Sequence, residues 1–276
     1  MLAAAPKLYW SPEVLPLAVG AIVLFIYGRR WAAVRRSASP RSAHDAPVWR
    51  LVVFCLGVAV AELAVLSPID SLSEQLFAAH MVQHILLLDV SPILAILGFT
   101  KVILRPITRT VNTVERRAGF FAGPVFAASA YIAVIWLWHI PAAYDYAAAH
   151  PPIHVLEHLS FMIVGGLYWW HVLSPIRARR RLTGLGPMAY MGSTKVALGV
   201  LGMGLAFAPT AIYAYYVHQP RVWGISPLTD QALAGIIMAV EQTLVMGIAL
   251  VWLFIKALEE SERDQQRRER LEAASS

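Results

Sequence analysis

The chain has 276 residues, 58% of them hydrophobic and 14% charged. Soluble domains carry about 25% charged residues, so this composition excludes a water-soluble globular domain and implies a polytopic membrane protein in contact with lipid. The net charge of +6 then bears on loop topology; no nucleic acid partner is expected.

In lipid, only helices and closed barrels satisfy their own backbone polar groups. The apolar runs here are about 20 residues long and lack period-2 alternation, so they read as helices. Seven follow in chain order, at about 11–28, 48–66, 74–98, 119–140, 153–173, 190–217 and 229–255. The expected fold is all-α, with seven transmembrane helices. The first run, Val14 to Tyr27, reads as a retained span rather than a signal peptide. Lys7 is the one basic side chain before it, no small-x-small cleavage site follows, and Arg29-Arg30 closes it. Cys55, the one cysteine, allows neither an intrachain disulfide nor a Cys-pair metal motif.

The loops between these spans are asymmetric. One side collects Arg29, Arg30, Arg35, Arg36, Arg41 and Arg50, then Lys101, Arg105, Arg109, Arg116 and Arg117. Arg177, Arg179, Arg180 and Arg181 follow, and the C-terminal segment adds Lys256, Arg263, Arg267, Arg268 and Arg270. All 23 basic residues except Lys7, Lys195 and Arg221 lie on that side. The positive-inside rule then puts the N-terminus outside and the C-terminus in the cytoplasm. Residues 1–258 are expected to form the transmembrane domain and 259–276 a charged cytoplasmic tail, as a frayed helical extension or disorder.

Seven of the nine histidines fall on the outer side: His80, His84, His139, His150, His154, His158 and His218. His44 and His171 are on the inner side. His80 and His84 are four residues apart, so their side chains share one helical face about 6 Å apart along the axis. His154 and His158 repeat the spacing, with Glu157 beside them and Met162 one turn on. Two such pairs on separate helices can supply four nitrogen ligands to one metal. Imidazole suits copper and zinc, and a thioether from Met81 or Met162 favours Cu(I). Met81 points about 100° away from His80, which fits packing better. The ordinary reading for His139, His150 and His218, near the water boundary, is interhelical hydrogen bonding.

Glu62, Asp89, Asp230 and Glu241 are further acids within or at the ends of spans and need partners. Asp89 falls about 140° round a regular helix from His84, off the histidine face. Trp10, Trp136, Trp138, Tyr144, Tyr146, Trp169, Trp170, Tyr213, Tyr215, Tyr216 and Trp223 read as an interfacial belt. Gly199, Gly202 and Gly204 read as sites of close helix packing. "HVLEH" (154–158) also matches H-x-x-E-H, the inverted zinc-protease motif, with Glu157 as general base and Glu241 as a third ligand. The pair His80/His84 lacks the glutamate of H-E-x-x-H, since Met81 and Gln83 stand there.

The blocks "FAAHMVQHILLLDVSPILAILG", "WLWHIPAAYDYAAAHPPIHVLEHLSFMIVGGLYWW" and "SPLTDQALAGIIMAVEQ" together resemble the CtaG (Caa3-type) family of cytochrome c oxidase assembly factors, seven-span bacterial plasma-membrane proteins. The resemblance runs over roughly residues 48–255. It departs from the family pattern where Ser91-Pro92 replaces a Pro-Pro, and where Asp89 enters a normally apolar turn. The unrelated single-span copper chaperone of the same name relies on paired cysteines, which this chain lacks.

The resemblance implies a non-enzymatic role in maturing haem-copper oxidase, through delivery or handling of copper outside the cytoplasmic membrane. The motif positions carried over are His80, Met81, His84, His154, His158, Asp230 and Gln231. The expected ligands are His80, His84, His154 and His158. Glu157, Asp230 and Gln231 are expected to fix imidazole tautomers, and Met81, Met162, His139 and His218 are accessory candidates. Expected partners are oxidase subunits and a copper donor protein. The alternatives are a haem- or quinol-linked redox protein with histidine ligands, a membrane zinc hydrolase, and a scaffold whose histidines cross-link helices.

Overall fold

A computed structural model describes residues 4–37, 42–176, 182 and 184–275. Of the inner basic residues, Arg41, Arg177, Arg179, Arg180 and Arg181 lie outside the described residues.

The fold is all-α. Helix α1 (Val14–Arg35) is followed by the short α2 (Ser42–Asp45), then by α3 (Val48–Leu66) and α4 (Pro68–Ser73). Next comes α5 (Phe77–Ile85), which passes through a π-helical turn (Leu86–Val90) directly into α6 (Ser91–Gly98). Then follow α7 (Lys101–Ala118), a 3-10 turn (Gly119–Ala122), α8 (Pro124–Trp138), α9 (Pro141–Ala149) and α10 (Pro151–Leu173). The chain closes with α11 (Gly186–Ala206), α12 (Ala214–Val217) and α13 (Pro227–Ser275).

Each expected span contains a helix, but not each helix meets the length and apolarity of a span. Among the described residues three do: Val14–Arg35, Ala43–Leu66 and Phe77–Gly98. A fourth qualifies if Lys101–Ala122 and Pro124–Trp138, bent by 62°, form one span. Part of the shortfall from seven has physical causes. Helix α8 has 15 residues, against about 20 needed to cross the hydrocarbon. Helix α10 is long enough, but His154, Glu157, His158 and His171 dilute its apolarity, as Ser193, Thr194 and Lys195 do in α11. The long apolar helices are consistent with a multi-pass membrane protein.

The α5–π–α6 segment is the centre of the bundle. Of its apolar window 56% is buried, against 17% for each of the other two qualifying helices. It packs against α3, α10 and α13, while α1 exposes Leu15, Ile22, Phe25 and Ile26. Pro92 explains the π turn. A proline has no N–H to donate, and its ring clashes with the carbonyl four residues back, here that of Leu88. The widened turn absorbs the clash, so the segment continues as helix. The freed Leu88 carbonyl lies against Gly165 of α10, so closely that a Cβ there would collide with it. Gly57 serves the α3–α6 crossing in the same way: a Cβ would lie 2.7 Å from the Ala95 nitrogen.

Gly202 packs against Gly235 of α13, as expected, but Gly199 and Gly204 face open space. Basic residues at one end also satisfy helix carbonyls. Arg50 donates to the carbonyls of Leu97 (2.7 Å) and Phe99 (2.6 Å) at the C-terminal end of α6, which leaves carbonyls unpaired. Arg30 donates to those of Val102 and Ile103 in the first turn of α7, where Pro106 has no N–H to offer the Val102 carbonyl.

Candidate metal centre

Helix α5 has no capping side chain of its own at Leu76. Asp230 of α13 supplies the cap instead, accepting the backbone N–H groups of Phe77 (2.7 Å) and Ala78 (3.0 Å). A carboxylate there also complements the positive end of the helix dipole. Gln83 fixes the other side of α5, donating to the Ala64 carbonyl (2.8 Å) and to Asp70 (2.8 Å). Asp70 lies between spans, and burial pushes its carboxyl up to about 6, with the Gln83 hydrogen bond pulling the other way. Helix α10 begins with Pro151-Pro152, which lack only N–H groups that the first turn leaves unpaired anyway.

These two anchored helices bring the histidine pairs face to face. Ring centroids of His80 and His84 are 4.1 Å apart, and those of His154 and His158 are 4.2 Å apart. Across the helices, His80 lies 5.0 Å from His154 and 5.9 Å from His158, and His84 lies 5.6 Å from His158. Ligand atoms of His80, His154 and His158 all fall within 4.8 Å of one another, as do those of His80, His84 and Glu157. Either trio has the geometry to hold a metal ion.

Their polar atoms are orphaned. His80 Nε2, both ring nitrogens of His84, His154 Nε2, His158 Nε2 and both Glu157 carboxylate oxygens are buried without a hydrogen-bond partner. Glu157 Oε1 comes within 3.6 Å of His84 Nε2, too far for a hydrogen bond. Each such unpaired group costs about 1–3 kcal/mol, so convergence of so many at one point fits a coordinated cation.

The tautomer of His80 follows from its neighbours. Tyr216 donates its one proton to the Ser73 carbonyl at 2.7 Å. Its oxygen therefore accepts from His80 Nδ1–H at 2.9 Å and from the Tyr144 hydroxyl at 3.2 Å. That leaves the Nε2 lone pair of His80 facing the cluster. His139 is arranged likewise: Nδ1–H donates to the Ile135 carbonyl at 2.8 Å, and Nε2 has no partner.

Two cavities flank the cluster. A large one of about 490 Å³ reaches His80, His154, His158 and Met162 from the end of the molecule carrying the N-terminal segment. A small one of about 30 Å³ lies beyond His84, lined by Met81, His139, Asp89, Glu241 and Gln242; it has room for a water molecule or two.

Several expected residues have other places. Asp230 and Gln231 do not touch imidazoles: Asp230 caps α5, and Gln231 accepts the Ile212 N–H (2.6 Å) and donates to the carbonyls of Leu205 and Thr210. Glu157 fixes no tautomer, but offers its own oxygens. His218 is exposed and bonds the Ala214 carbonyl, and exposed His150 bonds that of Tyr146; neither joins the cluster. Met81 packs in the core.

The belt reading misplaced four aromatics. Tyr144, Trp169, Tyr213 and Tyr216 are buried, and Tyr216 and Tyr144 orient His80. Asp89 likewise has partners the spacing did not reveal: Tyr131 donates to it at 2.7 Å and the Trp169 indole at 2.6 Å. Three tyrosines clustered before a histidine, in "YAYYVH", were the available signal for Tyr216.

Residues 25–260 match the family described as the cytochrome c oxidase caa3 assembly factor. The chain belongs to the CtaG-type assembly factor family. The match contains both histidine pairs and the whole of α5 and α10. The family is described as an assembly factor, which is consistent with the expected non-enzymatic role rather than with the zinc hydrolase reading of H-x-x-E-H. Two curated relatives are similar, both called uncharacterized proteins, one from Mycobacterium bovis and one from Mycobacterium tuberculosis. Each is 22% identical over 241 residues, which is 82% of this chain and 36% of the relative. The chain thus spans about a third of the length of these relatives. No solved structure matches it.

Proposed function

We propose that this protein handles copper during assembly of a haem-copper oxidase, holding the ion between α5 and α10 on the extracytoplasmic side of the bacterial plasma membrane. The observation that carries the reading is the convergence of four imidazoles, three buried and that of His154 half-buried, with unpartnered nitrogens. Family membership supplies the oxidase. The roles are His80, His84, His154 and His158 as ligands, Glu157 as an oxygen donor within reach, and Tyr216 as the residue that turns His80 Nε2 inward. Met162, at the margin of the large cavity, offers a thioether through which Cu(I) passes on entry or release. Imidazole and thioether without cysteine thiolate form an exchangeable set, as a protein that must release its cargo requires.

The bundle is read as seven spans with the N-terminus outside. Lys7 and Arg221 support that reading: the N-terminal segment and the 221–223 turn are joined by Ala4 and Val222 at the end of the molecule opposite Arg30 and Arg50. Four imidazoles crowded so closely that five of their six ring pairs lie within 6 Å leave little width for a porphyrin, so an ion is favoured over haem; the purified protein should show no Soret band. The test is to replace the chromosomal copy with His80→Ala/His84→Ala and measure oxidase activity and oxidase copper in the same membranes. The expected result is oxidase that is present but copper-deficient. Normal maturation in the variant would reject the function.

A further inference from the structure

The large cavity has a graded lining. At its mouth are the exposed carboxylates Glu13 and Glu74, and further in are the half-buried Glu62 and Asp70. At its floor are His80 and His158, only 2% and 8% exposed, each with an unpartnered Nε2. No lysine or arginine is among its described lining residues, in a chain whose net charge is +6.

The four carboxylates are not equivalent. Asp70 is held by Gln83, and Glu74 accepts the Tyr9 hydroxyl at 2.9 Å. Glu62 has a buried oxygen, Oε2, with no partner. Its other oxygen lies over the bare backbone of Gly20, where any Cβ would collide with it. Gly20 thus lets α1 close over the Glu62 carboxylate inside the bundle without displacing it.

We infer that this cavity is an acidic entry chamber for the cargo cation, in which Glu13 and Glu62 draw the ion inward to the histidine floor. The inference rests on the proposed metal site and adds its route and the residues that set its loading rate. Carboxylates lining a low-dielectric cleft concentrate cations and raise association rates. They need not change the affinity of the final site, whose ligands are the imidazoles.

The test uses full-length protein in nanodiscs of zwitterionic lipid, with Ag(I) as a redox-stable probe. Loading is followed by stopped-flow protein fluorescence, since Tyr144 and Tyr216 adjoin His80. Glu62→Gln and Glu13→Gln are each expected to slow association, the former by about fivefold or more at low ionic strength. The amount bound at saturation should be unchanged, and the difference should shrink as salt rises. Association at the wild-type rate in both variants would overturn the chamber while leaving the histidine site intact. Should Glu62→Gln lose capacity at saturation through misfolding, the exposed Glu13→Gln decides alone: slowed loading supports the chamber and wild-type loading rejects it. If wild type takes up no Ag(I), the histidine site itself fails and the chamber with it.

Discussion

Tyr216 acts on the site through one hydroxyl. With its proton committed to the Ser73 carbonyl, it holds His80 in the Nδ1–H form. Partners that orient ligand imidazoles typically matter 10–100-fold in metal affinity, so Tyr216→Phe should weaken binding by about that factor while the protein still folds. A chelator competition titration checks this, and unaltered affinity would mean that Tyr216 only packs. Asp89 is a different case, a buried carboxylate serving Tyr131 and Trp169. Asp89→Ala leaves both donors unpaired and should destabilise the protein by about 1–3 kcal/mol for each. Asp89→Asn keeps an acceptor and should cost less, as thermal unfolding in detergent would show. The histidine pairs were legible in the sequence because i,i+4 spacing fixes a shared face whatever surrounds it. The partners of Asp89 were not, because Tyr131 and Trp169 reach it from helices 42 and 80 residues away.

At the scale of elements, the decisive feature is the close approach of α10 to the π turn. Gly165 permits it, since a Cβ there would strike the Leu88 carbonyl, whereas Gly166 faces open space. Gly165→Ala should push α10 away from α5, separating the histidine pairs and destabilising the bundle by about 1–3 kcal/mol, the usual range for overpacking. Gly166→Ala should do neither. Metal capacity and unfolding temperature of the two variants, measured side by side, check the pair; equal behaviour would refute the role given to the contact. The helices themselves were legible because lipid leaves the backbone few alternatives. The π turn was not. Pro92 signals a disturbed helix, but whether it breaks or widens depends on a glycine 73 positions away. Basic residues 101–117, read as a loop, belong to α7: a helix with an apolar stripe can form between spans, and charge counting sees only the polar side.

For the whole molecule, topology decides whether the cluster faces the compartment where oxidase copper is inserted. In a Cys55→Ser background, Lys7→Cys should react with an impermeant thiol reagent applied to intact cells, and Gln265→Cys only after lysis. The reverse pattern would place the histidines on the wrong side. The central claim, however, is that α5 and α10 bind one ion jointly rather than each holding its own. The most direct measurement is the Cu(I) stoichiometry of purified wild type beside His80→Ala/His84→Ala and His154→Ala/His158→Ala. The geometry predicts one tightly held ion per chain in wild type and none in either variant. A tight ion retained by either double variant, or none held by wild type, would contradict a shared site.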